Sequence, residues 1–175
     1  GSTDINQQRI SNALTQFMGA LISVATKYDS VKQNLASFTA NEQAGYTIFQ
    51  NKCNSCHTEP LFTDFSYRNN GLPQTMLNDN GRMMVTGNTA DAFKFKVPSL
   101  RNLFKTYPFM HDGRFIGFEQ IFDHYQSGIV QSATLDPMLT NGIPLSAQER
   151  LALVDFLRTL TDNKFTSNTS FNAPQ

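Results

Sequence analysis

An all-α fold with long ordered loops is what the sequence predicts, on three observations. Apolar residues recur at helical spacing in several segments, Ser/Thr-x-x-Glu capping boxes mark two helix starts, and no segment shows strong strand alternation. With 175 residues and 19.6 kDa the chain is the size of one domain, able to bury about 68–70% of its unfolded surface without needing disulfides. Lys+Arg and Asp+Glu both number 14, so no net charge draws the chain to a polyphosphate or an anionic membrane, which argues against nucleic-acid and membrane partners. Charged residues are 16%, against about 25% in an average domain, with Asn, Thr, Ser and Gln in their place, as suits an exported protein. Fifteen Phe and no Trp give a core or pocket rich in aromatic rings. No apolar run approaches the roughly 18 residues of a membrane span. Gly1-Ser2 reads as a cloning remnant, and the absence of a basic and apolar leader after it reads as an export signal already removed.

The elements follow in order. From Arg9 to Ala25, Ile10, Leu14, Phe17, Leu21 and Val24 recur as the stripe of an amphipathic helix, with Met18, Ile22 and Ala25 alongside. Thr39-Ala-Asn-Glu42 is a capping box and starts a second helix through Ala44, Ile48 and Phe49. Thr58 to Lys96 holds Pro60, Gly71, Pro73, Gly81, Gly87 and many Asn and Asp residues, and reads as a long ordered loop of the kind that wraps a ligand. Pro98 is placed as the first residue of a short helix through Leu103. Phe118 to Gln126 is helical, with Gly128 to end it. Ser146-Ala-Gln-Glu149 caps the last helix, whose stripe is Leu151, Val154, Leu157 and Leu160 with Phe156 beside them. The polar tail Asn163–Gln175 wraps the surface or frays.

The second helix runs into Cys53-Asn-Ser-Cys56-His57, which holds both cysteines of the chain. CxxCH is the attachment sequence of a c-type haem. Two cysteines three apart on one helical turn present their sulfurs to the same side, where each can form a thioether with a vinyl group, and the next residue brings an imidazole to the iron. That imidazole needs its other nitrogen held by a carbonyl or carboxylate. A zinc site would need two more ligands, and His111 and His124 do not supply a second CxxC-like pair. A thioredoxin-like motif would need a βαβ context, and a structural disulfide is the remaining alternative. Haem attachment of this kind takes place outside the bacterial cytoplasm, which points to the periplasm.

Candidates for the opposite side of the iron are Met83, Met84, Met110, His111, His124, Tyr125 and Met138. Met110-His111-Asp112-Gly113 gathers a Met, a His and an Asp, and reads equally as a turn in which Asp112-Gly113 supplies the φ > 0 position. His124 and Tyr125, adjacent on a helix, point about 100° apart, so only one easily faces the iron. A Met ligand would raise the potential and favour electron transfer, whereas a Tyr phenolate would stabilise oxidised iron.

Taken together, these residues resemble the bacterial di-haem cytochrome c peroxidases and the related methylamine-utilisation di-haem enzymes. The resemblance runs from about Ala13 to Thr161, through Ala13-Leu14 with Phe17, Tyr28-Asp29, Gly45-Tyr-Thr-Ile-Phe49, Cys53-Asn-Ser-Cys-His57 and Asp79-Asn-Gly-Arg82. It continues in Phe95-Lys-Val-Pro-Ser-Leu-Arg-Asn102, Thr106-Tyr-Pro-Phe-Met-His-Asp-Gly-Arg-Phe115 and His124-Tyr125. It implies a cytochrome c-like haem domain, the second of two, in which residues 39–162 hold one haem c, residues 1–38 connect to a missing N-terminal haem domain, and 163–175 form a tail. Cys53, Cys56 and His57 match the haem site. The family's distal ligand falls on Tyr125, a Met in most of the peroxidase branch and a Tyr in the methylamine-utilisation enzyme, with Met110 the second choice here. Thr106 and Pro108 match positions whose backbone carbonyls help bind an interdomain calcium. Gly117-Phe118-Glu119-Gln120 replaces a Thr-Leu-Glu-Glu-like helix start. Arg101 and Arg114 are candidates for the haem carboxylates, with a local salt bridge the competing role.

The resemblance implies an electron-transfer haem domain that relays electrons from a small donor protein, a c-type cytochrome or a cupredoxin, to a peroxidatic haem reducing hydrogen peroxide. No catalytic residue is expected in this chain itself, and pairing with a second copy stays open. The alternatives are a methylamine-utilisation-like oxidase with a Tyr-ligated haem, a stand-alone mono-haem carrier, and a haem-free helical domain whose cysteines form a disulfide.

Overall fold

The computed structural model describes residues 3–75 and 79–172; residues 76–78 of the expected long loop and 173–175 of the expected tail lie outside them. Seven α-helices are placed along these residues: α1 (Gln7–Ala20), α2 (Lys27–Lys32), α3 (Ala40–Lys52), α4 (Met83–Thr86), α5 (Phe118–Asp123), α6 (Ala147–Arg158) and α7 (Asn163–Thr166). Two short antiparallel strands, β1 (Tyr67–Arg68) and β2 (Phe95–Lys96), tie the ends of the long loop together, with Tyr67 opposite Lys96 and Arg68 opposite Phe95.

Both capping boxes form as the sequence predicts. The Thr39 and Ser146 hydroxyls accept the amides of Glu42 and Glu149, and the two carboxylates accept the cap amides in return. Helices α3 and α6 are the principal packed pair. Their closeness depends on Gly45, where a Cβ would lie 1.9 Å from the Ala152 carbonyl oxygen and 2.8 Å from the Phe156 Cβ. Around this crossing lie Tyr28, Tyr46, Phe49, Phe62, Phe156 and Leu160, all buried. Their rings meet edge-on or tilted, with Tyr28 on Phe62 at 4.8 Å and Phe49 on Phe156 at 5.2 Å between centroids, within the separations aromatic pairs favour. Four of the fifteen Phe, Phe49, Phe62, Phe122 and Phe156, are buried in this core, whereas Phe17 and Phe65 stay exposed.

Four expectations are corrected. The first helix ends at Ala20, not Ala25. Its continuation is pulled out by the Asp162 carboxylate, which accepts the Ala25 amide at 2.9 Å, and by a new capping box at Thr26 that starts α2. No residue of α1 is buried, so its apolar stripe faces away from this core. Pro98 starts no helix: the segment is held open by hydrogen bonds from Thr63 to the Val97 carbonyl and from Val97 to Ser66, and a single 3-10 turn forms only at Leu103–Lys105. On α6 the buried face is Ala152, Leu153, Phe156 and Leu157, while Leu151 stays 60% exposed. The face is chosen by the fit of Ala152 against Gly45, which a periodicity argument on α6 alone does not contain. Helix α5 stops at Asp123 and continues as one π-helical turn, His124–Gly128. The tail turns back as α7 and a 3-10 turn, placing Phe171 edge-on against Phe17 of α1.

Candidate functional site

Helix α3 delivers the cysteines to the turn that ends it. The Cys53 amide still bonds the Phe49 carbonyl at 2.8 Å, and the amides of Cys56 and His57 both return to the Cys53 carbonyl. Both thiols are free of a disulfide. Burial pushes the Cys53 thiol up to about 12, with the neighbouring Cys56 adding to it, and burial raises Cys56 as well. His57 is held from one side only: its Nδ1 donates to the carbonyls of Phe62, at 3.2 Å, and Pro98, at 3.1 Å. Burial lowers its pKa, against the effect of those carbonyls. The ring is therefore neutral with the proton on Nδ1, and Nε2 keeps its lone pair. Phe62 is fully buried in the aromatic core at φ 55°, a conformation uncommon for a bulky residue. The carbonyl that orients His57 is thus placed by the core itself.

Tyr125 stands on the π turn after α5. Its carbonyl accepts the Ile143 amide at 2.7 Å. Gly142, at φ 67°, leaves room for this approach, since a Cβ there would lie 2.7 Å from the Gln126 carbonyl oxygen and 3.0 Å from that of Tyr125. A π turn inside a helix frequently marks a functional position, and Tyr125 lies on this one. Burial raises the Tyr125 pKa, and a hydrogen bond from the Asn70 side chain works against that rise.

The remaining predicted residues are placed as follows. The Met110 backbone lies at φ 71°, and its sulfur accepts an N–H from Asn70 at 3.6 Å. His111 stacks on Phe95 with ring centroids 3.6 Å apart. His124 is buried, its Nε2 bonded to the Asn70 carbonyl at 3.0 Å. Met84 and Met138 are exposed, and Met83 lies with Met84 on α4. The Arg101 guanidinium makes a two-pronged pair with Asp29, at 2.9 and 2.7 Å, and also bonds the carbonyls of Pro60 and Ser23. Arg114 pairs with Asp112 and bonds the Pro73 carbonyl, and Gly113 supplies the positive φ of that turn. Thr106 and Pro108 flank the exposed Tyr107. No group of three or more His, Cys, Asp and Glu side chains is gathered for a metal ion among the described residues.

Sequence reasoning missed two residues. Arg68, paired with Asp64 and Asp136 at 2.7 and 2.6 Å, places a cation near enough to Cys56 and His57 to act on both. Asn70 touches two of the candidate distal residues, Met110 and His124. The signal was the polar run Asp64 to Gly71, where Asp64 and Asn69 each bond an amide two residues on and so fix their backbone as Asx turns do.

The donor set fits a haem c: two free thiols for thioethers, an imidazole with Nδ1 committed to carbonyls and Nε2 available, and a phenol on the π turn after α5. No family model matches the chain. The methylamine utilization protein MauG of Methylophilus methylotrophus is 32% identical over 165 residues, covering 91% of this chain and 49% of that protein. Cytochrome c551 peroxidase of Nitrosomonas europaea is 32% identical over 169 residues, covering 94% of this chain and 47% of that protein. Among solved structures, a MauG-like protein associated with microbial copper homeostasis superposes with a TM-score of 0.85 at 28% identity, covering 99% of this chain and 62% of that one. A variant of the diheme peroxidase BthA from Burkholderia thailandensis does so at 0.68 and 25%, covering 81% and 46%. The chain spans about half the length of the curated relatives it matches. No helix among its described residues is long and apolar enough to cross a membrane. On its motifs, its mostly helical fold and these relatives together, the chain belongs to the family of MauG and the di-haem cytochrome c peroxidases.

Proposed function

We propose that this chain is the electron-transfer haem domain of a periplasmic di-haem cytochrome c peroxidase, receiving electrons from a c-type cytochrome or cupredoxin and passing them to a peroxidatic haem that reduces hydrogen peroxide. The observation that carries the reading is the CxxCH turn with His57 locked at Nδ1 by two main-chain carbonyls. Cys53 and Cys56 would hold one haem c, His57 would ligate the iron through Nε2, and Tyr125 would be its second protein ligand. When bound, the haem supplies a one-electron redox centre. The chain's own groups hold the His57 tautomer, half-bury the thiols and keep the site against an aromatic core. The relatives are about twice as long, and the proposal assigns the peroxidatic site to the other half of the full-length protein. On this reading, residues 1–38 connect the two halves, 39–162 form the haem domain and 163–175 its tail. The carbonyls of Thr106 and Pro108 would contribute to an interdomain calcium.

Tyr125 favours a second reading, a MauG-like oxidase, because a phenol stands where most of the peroxidase branch carries a thioether. A phenolate ligand stabilises oxidised iron. The test is a pyridine haemochrome and visible spectrum of ferric and dithionite-reduced protein. A c-type signal without a methionine–iron charge-transfer band is expected, and a colourless protein with two titratable thiols after expression with haem-attachment machinery would overturn the proposal. Tyr125→Met should raise the midpoint potential, and spectra unchanged by it would remove Tyr125 from the ligand set.

A further inference from the structure

We infer that Arg101 is a positioning residue that ties the segment between α1 and α2 to the carbonyls holding His57, so that movement of that segment is felt at the redox site. The inference rests on the reading of Cys53, Cys56 and His57 as the haem-binding set. A continuous run of hydrogen bonds joins the two places, and Arg101 is its centre. The Arg101 side chain is 10% exposed, and its guanidinium carbon lies against the core, 5.7 Å from the Phe62 ring and 5.8 Å from that of Tyr28. A guanidinium carries five N–H donors in a fixed plane. Here Nε and Nη2 donate to the Pro60 carbonyl at 3.0 and 2.9 Å, and Nη1 donates to the Ser23 carbonyl at 3.2 Å. Nη1 and Nη2 also donate to the two Asp29 oxygens, at 2.9 and 2.7 Å, so that every donor is engaged.

Toward His57, residues 97–101 are seamed to residues 60–63. The Ser99 hydroxyl donates to the Leu61 carbonyl at 2.6 Å, the Leu100 amide to the Phe62 carbonyl at 3.3 Å, and the Thr63 hydroxyl to the Val97 carbonyl at 2.6 Å. The two acceptors of the His57 Nδ1–H, the carbonyls of Phe62 and Pro98, belong one to each side of this seam. Arg101 closes its end by gripping Pro60, and its own amide bonds the Ser99 hydroxyl at 3.1 Å. In the other direction, the Ser23 hydroxyl donates to Asp162 at 3.2 Å and accepts from the side chain of Asn102, the residue after Arg101, at 3.0 Å. Ser23 and Pro60 thus share one rigid cation, and a displacement of the first is passed to the second. A hydrogen bond from Nδ1 to a carbonyl makes an imidazole a more basic ligand, which favours oxidised iron, and such bonds are among the levers a protein has on a haem potential. A looser seam therefore raises the potential. On the reading that residues 1–38 connect two halves, Arg101 transmits the arrangement of the halves to His57.

The experiment measures the midpoint potential by spectroelectrochemistry, with the urea midpoint alongside, for haem-loaded wild type, Arg101→Lys, Ser23→Gly and the Arg101→Lys/Ser23→Gly double variant. Lys keeps the positive charge but cannot serve Pro60, Ser23 and Asp29 together, so a shift in Arg101→Lys reports geometry and not charge. The potential should rise in Arg101→Lys. It should rise also in Ser23→Gly, which loses the bonds to Asp162 and Asn102 and frees the backbone between α1 and α2. The two changes should not add, because residues that act along one path are coupled: Ser23→Gly should leave the potential of Arg101→Lys where it is. An Arg101→Lys protein with a lower urea midpoint and an unchanged or lowered potential would make Arg101 a structural residue only and overturn the inference. Equal shifts from Ser23→Gly in both backgrounds would overturn it too. Should Arg101→Lys fail to fold, Ser23→Gly alone carries the test, and a wild-type potential there overturns the inference. Wild-type protein that takes up no haem would overturn the reading of the site, a result distinct from normal uptake with an unmoved potential.

Discussion

The two sides of the candidate site are built by different means. His57 is oriented by the main-chain carbonyls of Phe62 and Pro98, and one of those residues is buried at the centre of the aromatic core. Tyr125 is placed by a π turn that depends on the close approach of one glycine, Gly142. A main-chain carbonyl cannot be removed by substituting its own side chain, so the His57 side changes only when the core moves. The Tyr125 side can be altered one side chain at a time. The resemblance has its Met-to-Tyr difference on that adjustable side.

Breaking the His57 side should therefore require a core substitution, with the largest effect. Phe156 is fully buried between α3 and α6 and touches Phe49, Phe62, Tyr28 and Tyr46. Phe156→Ala should cost about 3–5 kcal/mol, seen as a lower urea midpoint with an unchanged slope. A loss below about 1 kcal/mol would mean that the aromatic cluster does not carry the fold.

On the Tyr125 side the matching change is Gly142→Ala. It places a Cβ 2.7 Å from the Gln126 carbonyl oxygen at φ 67°, which should cost about 1–3 kcal/mol through strain and overpacking. It should also alter the near-ultraviolet signal of Tyr125 while leaving far-ultraviolet dichroism intact. A normal tyrosine signal would mean that the π turn is held by something other than the Gly142 contact.

Acid should weaken the His57 side. Burial works to raise Asp64, but hydrogen bonds from Ser66 and Arg68 outweigh it and hold the carboxyl down to about 2. Asp29 is lowered in the same way, with Arg101 and Thr26 overcoming burial, and so is Glu59, with Tyr28, Lys32 and Tyr46. An unfolded Asp titrates near pH 3.9 and an unfolded Glu near about 4.3. A folded pKa below the unfolded one gives stability that is present above the unfolded value and lost as pH falls through the folded value. Urea midpoints should thus be level above about pH 5 and fall between about pH 4 and 2. Asp29→Asn should shallow that fall, and an unchanged acid profile in this variant would remove the Arg101 pair from the cause.

How much of this was legible follows from where each signal resides. The capping boxes at Thr39 and Ser146 and the CxxCH turn are local: a few adjacent residues contain the whole cause, and the structure reproduces them. The need for a carbonyl on His57 was also readable from the chemistry of an iron-bound imidazole. Its suppliers were not, because Phe62 and Pro98 reach His57 only after the chain has folded back. Pro98 read as a helix start, yet its segment is held open by Thr63 and Ser66. The contacts of Asn70 were illegible for the same reason: its partners at 110 and 124 are remote in sequence. Arg101, a candidate for the haem carboxylates with a local salt bridge as its competing role, pairs with Asp29, while Arg68 acts on Cys56 and Lys52 on Cys53.

The smallest expected effect sharpens the contrast between local pattern and tertiary use. Helices α1 and α6 carry the same kind of apolar stripe, but α6 buries its face against Gly45 whereas Leu14 on α1 is 56% exposed. Periodicity reports that a helix has an apolar face and does not say what lies opposite it. Leu14→Ser should therefore change the unfolding free energy of this chain by no more than about 0.5 kcal/mol, as for a surface site without a packing role. Leu153→Ser, on the buried face of α6, should cost several times that in the same urea titration, since it adds an unpaired hydroxyl to a lost apolar contact. Equal losses at the two positions would show that α1 is packed in solution, and the stripe rather than its surroundings would then have decided burial.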